Sequence, residues 1–160
     1  MSRGLSIDVF AETNPAFCSL AIRSFLQGYI ESANIGAEFP TLFIVLPIAA
    51  SEAQTPSFEA TNKTTGLFTW LQRSPFVTLD LARRIDRTAR FTRAAIHFGL
   101  QQRLIKIESG LFLPLDEGLL KKAPSSDAVG DVMKRSHRLG FWTGEIKSAP
   151  TVFNALGITI

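Results

Sequence analysis

The chain has 160 residues, a size that favours one domain with its own core. Hydrophobic residues make up 46% and charged residues 19%, a more apolar balance than is usual for a small domain. This surplus has two interpretations: a well-packed core, or apolar surface that a partner covers. The net charge of +3 is compatible with nucleic acid but does not by itself indicate it.

Cysteine content and hydropathy predict a cytoplasmic protein. Cys18 is the single cysteine, so an internal disulfide is excluded, and residues 1–8 contain no apolar signal core. The longest apolar run, at 42–50, has nine residues and contains Pro47, whereas a spanning helix needs about 20. The run is therefore predicted to be a buried segment and not a membrane anchor.

The first element is a helix behind a short lead-in. Residues 1–13 are predicted to be flexible, and 14–160 to form a single domain. Asn14 can accept a hydrogen bond from a free backbone N–H, and Pro15 is tolerated at the first helical position. Apolar residues then recur at spacings of three and four, which predicts a helix from Pro15 to about Ser32.

The next part of the chain is apolar first and polar afterwards. Periodicity leaves 40–50 open as a buried helix or a buried strand, but Pro47 cannot donate to a strand ladder and favours the helix. Residues 51–63 are predicted to be a loop with one helical turn. Residues 65–73 read as a short helix, which the Ser-Pro pair ending at Pro75 stops.

A long helix at 76–103 and a β-hairpin form the most informative stretch. One side of the helix carries a stripe of apolar and small residues: Leu81, Ile85, Thr88, Thr92, Ala95 and Gly99. Two apolar runs, 104–107 and 111–114, flank a Ser-Gly turn and predict the hairpin. Two helices split by a turn and followed by a hairpin have the order of a winged helix. We therefore predict a mainly α fold with a β-hairpin, as a winged-helix-like single domain.

Two further helices complete the chain. Residues 116–126 are polar and rich in turn formers, which predicts a linker. A helix is predicted from Asp127 to about Glu145, and a last short helix from Ala149 through Leu156. Gly157 is expected to close that helix, as glycine commonly does.

The sequence contains no set of residues that indicates catalysis. His97 and His137 have no second His or Cys at metal-ligand spacing, and Cys18 is more simply a core residue than the partner of His97 in a nucleophile pair. Glycine-rich phosphate loops are absent, and the carboxylates are dispersed. We therefore predict a protein that is not an enzyme and that needs no metal or cofactor.

Basic residues on the long helix are the candidate binding site. The six candidates are Arg83, Arg84, Arg87, Arg90, Arg93 and, in the hairpin, Lys106. Guanidinium groups at helical spacing can pair with DNA phosphates or with an acidic protein surface. A solvated helix face remains the third interpretation. Weaker basic clusters lie at Lys121-Lys122 and at Lys134-Arg135 with Arg138.

Trp142 and Phe141 are candidate partner-binding residues near a helix end. Tryptophan is favoured at binding hot spots, so a partner pocket is one interpretation for Trp142. Large aromatic residues are more often part of the core, and this second interpretation stays open.

The ordered landmarks of the chain resemble a known family. They are NPAF at 14–17, LFIVLP at 42–47, TGLFTWL at 65–71, FTRAAIHFGL at 91–100, KRSHRLGFW at 134–142 and APTVFNALGI at 149–158. Together they resemble the middle component of bacterial three-component ABC ATPase defence systems, to which Lamassu is related. The resemblance covers 14–160, and its landmarks are structural.

The resemblance implies a function that composition and spacing do not. It implies a non-enzymatic adaptor subunit, of winged-helix type, in an anti-phage or anti-plasmid defence complex. Its partners would be an SMC-like, repair-type ABC ATPase subunit and an effector such as a nuclease, with DNA reached through the complex. The adaptor would help couple the sensing of foreign DNA to the effector. The alternative is a stand-alone winged-helix DNA-binding transcription regulator.

Overall fold

The computed structural model of the chain describes residues 14–116 and 127–159. The predicted lead-in at 1–13 and nearly all of the predicted linker at 116–126 lie outside these residues. The described parts are mainly helical and contain one antiparallel β-hairpin, which confirms the predicted mainly α class with a hairpin; the winged-helix-like character stays a prediction. Among the described helices, none combines the length and the apolarity that crossing a bilayer requires.

Six α-helices and two strands are described, joined by short irregular helices. In chain order the regular elements are α1 (Pro15–Ala33), α2 (Thr55–Phe58), α3 (Leu67–Arg73), α4 (Leu81–Gln101), β1 (Ile105–Glu108), β2 (Leu111–Pro114), α5 (Asp127–Ile146) and α6 (Ala149–Ala155). The predicted helices at 15–32, 65–73, 127–145 and 149–156 are confirmed within a few residues.

Helix α1 is the centre of the fold. The Asn14 side chain accepts a hydrogen bond from the backbone N–H of Phe17 at 3.1 Å, as the cap was predicted to do. The helix packs against α5 and against α4, so its side chains are buried on most of its circumference. Cys18 is fully buried in this core.

Glycines allow α1 and α5 to pack with their backbones in contact. A Cβ atom added to Gly140 would lie 1.9 Å from the carbonyl oxygen of Phe25. A Cβ atom on Gly28 would lie 1.9 Å from the carbonyl oxygen of His137. No side chain larger than hydrogen fits at either position, so this crossing depends on the two glycines.

The apolar segment at 40–50 is helical, as favoured, but it is not an α-helix. A 3₁₀ helix (Phe39–Ile44) continues into a π-helix (Val45–Ala49), with the N–H of Ala50 bonded to the carbonyl of Val45 at 3.3 Å. Pro47 lacks the N–H that a regular α-helix needs at this position, which is a physical reason for the wider turn.

The long helix begins later than predicted. The residues Pro75–Thr78 form a 3₁₀ turn, Leu79 is extended, and Asp80 has a left-handed φ of 54°. These conformations interrupt the helical ladder, so α4 begins at Leu81 and not at Phe76. It ends at Gln101, and its buried positions include most of the predicted stripe.

The hairpin follows α4 as predicted. Its strands are in the register that pairs Ile107 with Phe112 and Glu108 with Leu111. Ala37, between α1 and the 3₁₀ helix, forms an antiparallel bridge with Phe112 through two backbone hydrogen bonds of 2.9 and 2.8 Å. Strand β2 is therefore paired on both sides, and β1 forms the outer edge.

Candidate partner-binding surface

Four arginines form an exposed row on α4. Arg83, Arg87, Arg90 and Arg93, here called the Arg row, are all exposed, and none forms an ion pair with a carboxylate among the described residues. The guanidinium of Arg93 lies 6.0 Å from the ring centre of Phe43, which belongs to the 3₁₀ helix. The row is available to an anionic partner.

Arg84 differs from the other arginines because the fold uses its guanidinium. It donates to the carbonyl oxygen of Pro47 at 2.8 Å and also to the carbonyl oxygens of Val77 and Leu79. Burial lowers the pKa of Arg84. The nearby charge of Arg87 lowers this pKa further, whereas Asp80 raises it. The structure places Arg84 as a tie between the π-helix and the turn before α4, not as part of the exposed row.

Lys106 is exposed on β1 but is paired within the hairpin. Its Nζ lies 3.0 Å from the Oε2 of Glu108, two residues further along the same face of the strand. This carboxylate offsets its charge, so Lys106 adds little to the Arg row.

Aromatic and aliphatic side chains form an apolar patch beside the hairpin. The hairpin patch consists of Phe39, Phe43, Ile107 and the underlying Phe112. The ring of Phe39 lies 5.1 Å from that of Phe43 and 5.6 Å from that of Phe112. Phe39 is 44% exposed, and Ile107, paired with Phe112, is 50% exposed. Arg93 borders the patch through its contact with Phe43.

A second apolar group lies just before the start of α4. Phe76 and Leu79, here called the helix-start group, are 42% and 70% exposed. The carbonyl oxygen of Leu79 accepts from Arg84, so the group lies beside the first turn of α4, where the Arg row begins. Large apolar side chains this exposed are candidates for burial by a partner.

A cavity of about 270 Å³ lies beside the Arg row. Its wall combines the π-helix and the residues after it with the first turns of α4, and it includes Pro47, Ala50, Ser51, Arg87 and Thr88. An apolar wall with a guanidinium at its rim suits a partner side chain that ends in a carboxylate.

The candidates Trp142 and Phe141 lie in different surroundings. Trp142 is fully buried, with its ring stacked on Phe58 at 5.9 Å and tilted against Trp70 at 5.1 Å. Its Nε1 donates to the carbonyl of Asn62 at 3.1 Å. The structure therefore places Trp142 in the core, out of a partner's reach. Phe141 is half-buried and lies below Lys63, whose Nζ is 5.4 Å from the ring centre.

The remaining candidates from the sequence are His97, Cys18 and the two weaker basic clusters. His97 is exposed on α4, whereas Cys18 is fully buried. Within the described ranges, no group of three or more His, Cys, Asp and Glu side chains is placed to hold a metal ion. Lys121-Lys122 lies outside the described residues, and Arg135 donates to the carbonyl of Ala49 at 2.9 Å.

A mainly helical protein with a β-hairpin is the class that this structure defines. The sequence model of one family matches residues 9–160: the ABC-three component (ABC-3C) system Middle Component 3. The chain belongs to this family, which confirms the resemblance to a middle component of three-component ABC systems; the relation to Lamassu stays a prediction. No curated protein and no solved structure matched the chain.

Sequence reasoning missed the two apolar groups. Phe39 and Phe43 belong to or adjoin an apolar run that was predicted to be buried as a whole, and Ile107 has the same residue type as its buried neighbour Ile105. Residue type does not distinguish buried from exposed members of such a run. Leu79 was assigned to the helix, and its exposure follows from the break at Asp80.

Proposed function

We propose that this chain is a non-enzymatic adaptor subunit of an anti-phage or anti-plasmid defence complex. In this proposal it bridges an SMC-like, repair-type ABC ATPase and a nuclease-type effector. Membership of a middle-component family supports an accessory role in an ABC-3C system. DNA is reached through the complex, so that sensing of foreign DNA is coupled to the effector.

The observation that carries the proposal is the position of the two apolar groups. The helix-start group precedes the first turn of α4, a helix of 21 residues and therefore about 30 Å long. The hairpin patch lies further along the helix, where Arg93 contacts Phe43, and it includes Ile107 of the strand that follows. Between them lies the Arg row. Two apolar contact points with a basic stretch between them suit a subunit that holds two acidic-edged partners at once.

The first experiment is an affinity purification of the tagged protein from its native host, with mass spectrometry of the proteins that accompany it. The adaptor proposal expects a large ABC ATPase and an effector in a constant ratio. A pure homodimer without companions would contradict it and would make promoter binding the next test.

The second candidate function is a winged-helix DNA-binding transcription regulator. It is favoured by the bridge between Ala37 and Phe112, which places a third extended segment beside the hairpin, and by the exposed Arg row. A row of guanidinium groups can follow a DNA backbone, and such binding weakens steeply with salt.

Charge reversal at Arg87 and Arg90 separates the two functions. The adaptor proposal expects the Arg87→Glu, Arg90→Glu variant to lose its partners. If the chain is a transcription regulator, the isolated variant should lose DNA binding instead. Arg73→Glu is the matched control, because Arg73 is exposed on α3 and lies outside the row. If neither partner binding nor DNA binding changes, the Arg row is a solvated helix face.

A further inference from the structure

Four basic side chains line a cavity of about 170 Å³ away from the Arg row. The basic pocket consists of Lys63, from the loop before α3, and of Lys134, His137 and Arg138 on α5. The three α5 residues are spaced at i, i+3 and i+4, so they share one face of the helix. Residues 71 positions apart in the chain, Lys63 and Lys134, thus meet at one site.

The loop wall of the basic pocket is held in place by the core. Nε1 of Trp142 donates to the carbonyl of Asn62 at 3.1 Å, and Nη1 of Arg138 donates to Oγ1 of Thr61 at 3.1 Å. The Asn62 side chain also accepts from the backbone N–H of Thr64 at 2.9 Å. Lys63 therefore stands between anchored residues, and the pocket is formed before any ligand arrives.

The charges around the basic pocket are not balanced. Glu31, near the end of α1, is 2.5 Å from Nζ of Lys63 and 3.2 Å from Nε2 of His137. Lys134 and Arg138 have no carboxylate within ion-pair distance in the described part of the chain. With His137 neutral, three cations face one anion, which leaves a charge of +2 on the pocket. Like charges spaced at i, i+4 on a helix repel each other, so an anionic ligand would relieve this repulsion.

Burial favours the neutral form of His137 in this pocket. Burial is the main cause that lowers the pKa of His137, while Glu31 raises it and Lys63 and Arg138 lower it. The histidine is thus held in its neutral form, in which one ring nitrogen can donate a hydrogen bond without adding charge.

We propose that the basic pocket binds a phosphate group. A phosphate monoester carries a charge between about −1.5 and −2 near pH 7, which matches the charge of +2 on the pocket. Its oxygens can accept the forked bonds of Arg138 and the point-like donor of Lys134. The phosphate belongs either to a small phosphate compound or to a nucleic-acid backbone, and both sources share this chemistry. The site is independent of the proposed adaptor contacts on α4.

Titration of the full chain with inorganic pyrophosphate and with a short DNA duplex, followed by calorimetry, tests the site. Lys134→Ala removes an exposed cation that forms no ion pair with the described residues, and we expect affinity to fall about tenfold. Glu31→Gln removes the competing carboxylate and should raise affinity, a change that misfolding does not produce. Arg73→Ala, which removes one exposed charge elsewhere, is the control.

The two probes distinguish the source of the phosphate. If Lys134→Ala weakens pyrophosphate binding and Glu31→Gln strengthens it, the site binds a small phosphate compound. The same opposite responses seen with duplex DNA alone support a backbone phosphate. If neither probe binds, or if neither shows opposite responses beyond the effect of Arg73→Ala, the proposal is overturned.

Discussion

At the scale of single residues, the structure separates arginines that look alike in the sequence. Arg83 and Arg84 are neighbours on α4, yet Arg83 is exposed and Arg84 donates to three backbone carbonyls. Those carbonyls lie at the π-helix and at the turn before α4, where regular helical partners are missing. The role of each arginine therefore follows from the backbone near its guanidinium.

We expect Arg84→Ala to lower the free energy of unfolding by about 1.5–3 kcal/mol, because three backbone carbonyls, two of them in partly buried bonds, lose a charged donor. Arg83→Ala is the matched control and should change it by less than about 0.5 kcal/mol. Urea denaturation of both variants measures the difference. Equal effects would show that Arg84 does not tie these segments together.

The stability of the protein should depend on pH through His137. Its pKa is lowered in the folded state from the usual value of 6.5, so the unfolded chain takes up the proton more readily. The contribution of His137 to the free energy of unfolding is complete above pH 6.5, and it is lost as the pH falls below 6.5. Glu31, whose pKa is lowered from 4.5 chiefly by its hydrogen bond with Lys63, loses its contribution only at lower pH.

Thermal unfolding between pH ~7 and ~5.5 checks this expectation, because carboxylates with ordinary or lowered pKa values change little there. The melting temperature should fall with pH, and the fall should be smaller in His137→Gln. An unchanged pH dependence in the variant would contradict the assignment.

At the scale of elements, the contact between α1 and α5 organises the fold. The two helices approach so closely at Gly28 and Gly140 that a carbonyl of each helix occupies the space of a side chain on the other. Gly130 lies on the same helix α5, and a Cβ atom there would meet nothing within 4 Å. Gly130 and Gly140, two of the three glycines of α5, thus have different roles.

We expect Gly140→Ala to lower the free energy of unfolding by about 1–3 kcal/mol or more, because the added methyl group must push the two helix backbones apart. Gly130→Ala should leave stability unchanged or raise it by up to about 1 kcal/mol, since alanine is the better helix former. Chemical denaturation compares the two variants. A harmless Gly140→Ala would mean that the crossing tolerates a wider separation.

At the scale of the whole molecule, exposed apolar side chains lie before the start of α4 and beside the hairpin that follows it. The hairpin patch and the helix-start group share no residue, and the Arg row runs between them. If each contacts a different partner, the contacts should be lost independently. Long-range attraction from the Arg row would act mainly on the rate of association, and salt would weaken it.

We expect Ile107→Asp to abolish binding of one partner and Leu79→Asp to abolish binding of the other, since each buries a charge at an apolar contact. Copurification of the complex from cells that express all three subunits measures the binding of both partners. Phe68→Asp is the control, because Phe68 is 58% exposed on α3 outside both groups. Loss of both partners from either single variant would mean one shared interface.

The sequence by itself determined most of the elements and the family. The Asn14-Pro15 start of α1, the stripe on α4 and the turn at Ser109-Gly110 are local signals, because capping, periodicity and turn chemistry act over a few residues. Only the tertiary structure decided which members of an apolar run are exposed. It also decided that Arg84 and Trp142 are used internally, and that Lys63 meets Lys134 and Arg138. These outcomes depend on contacts between residues far apart in the chain, and no local pattern encodes such contacts.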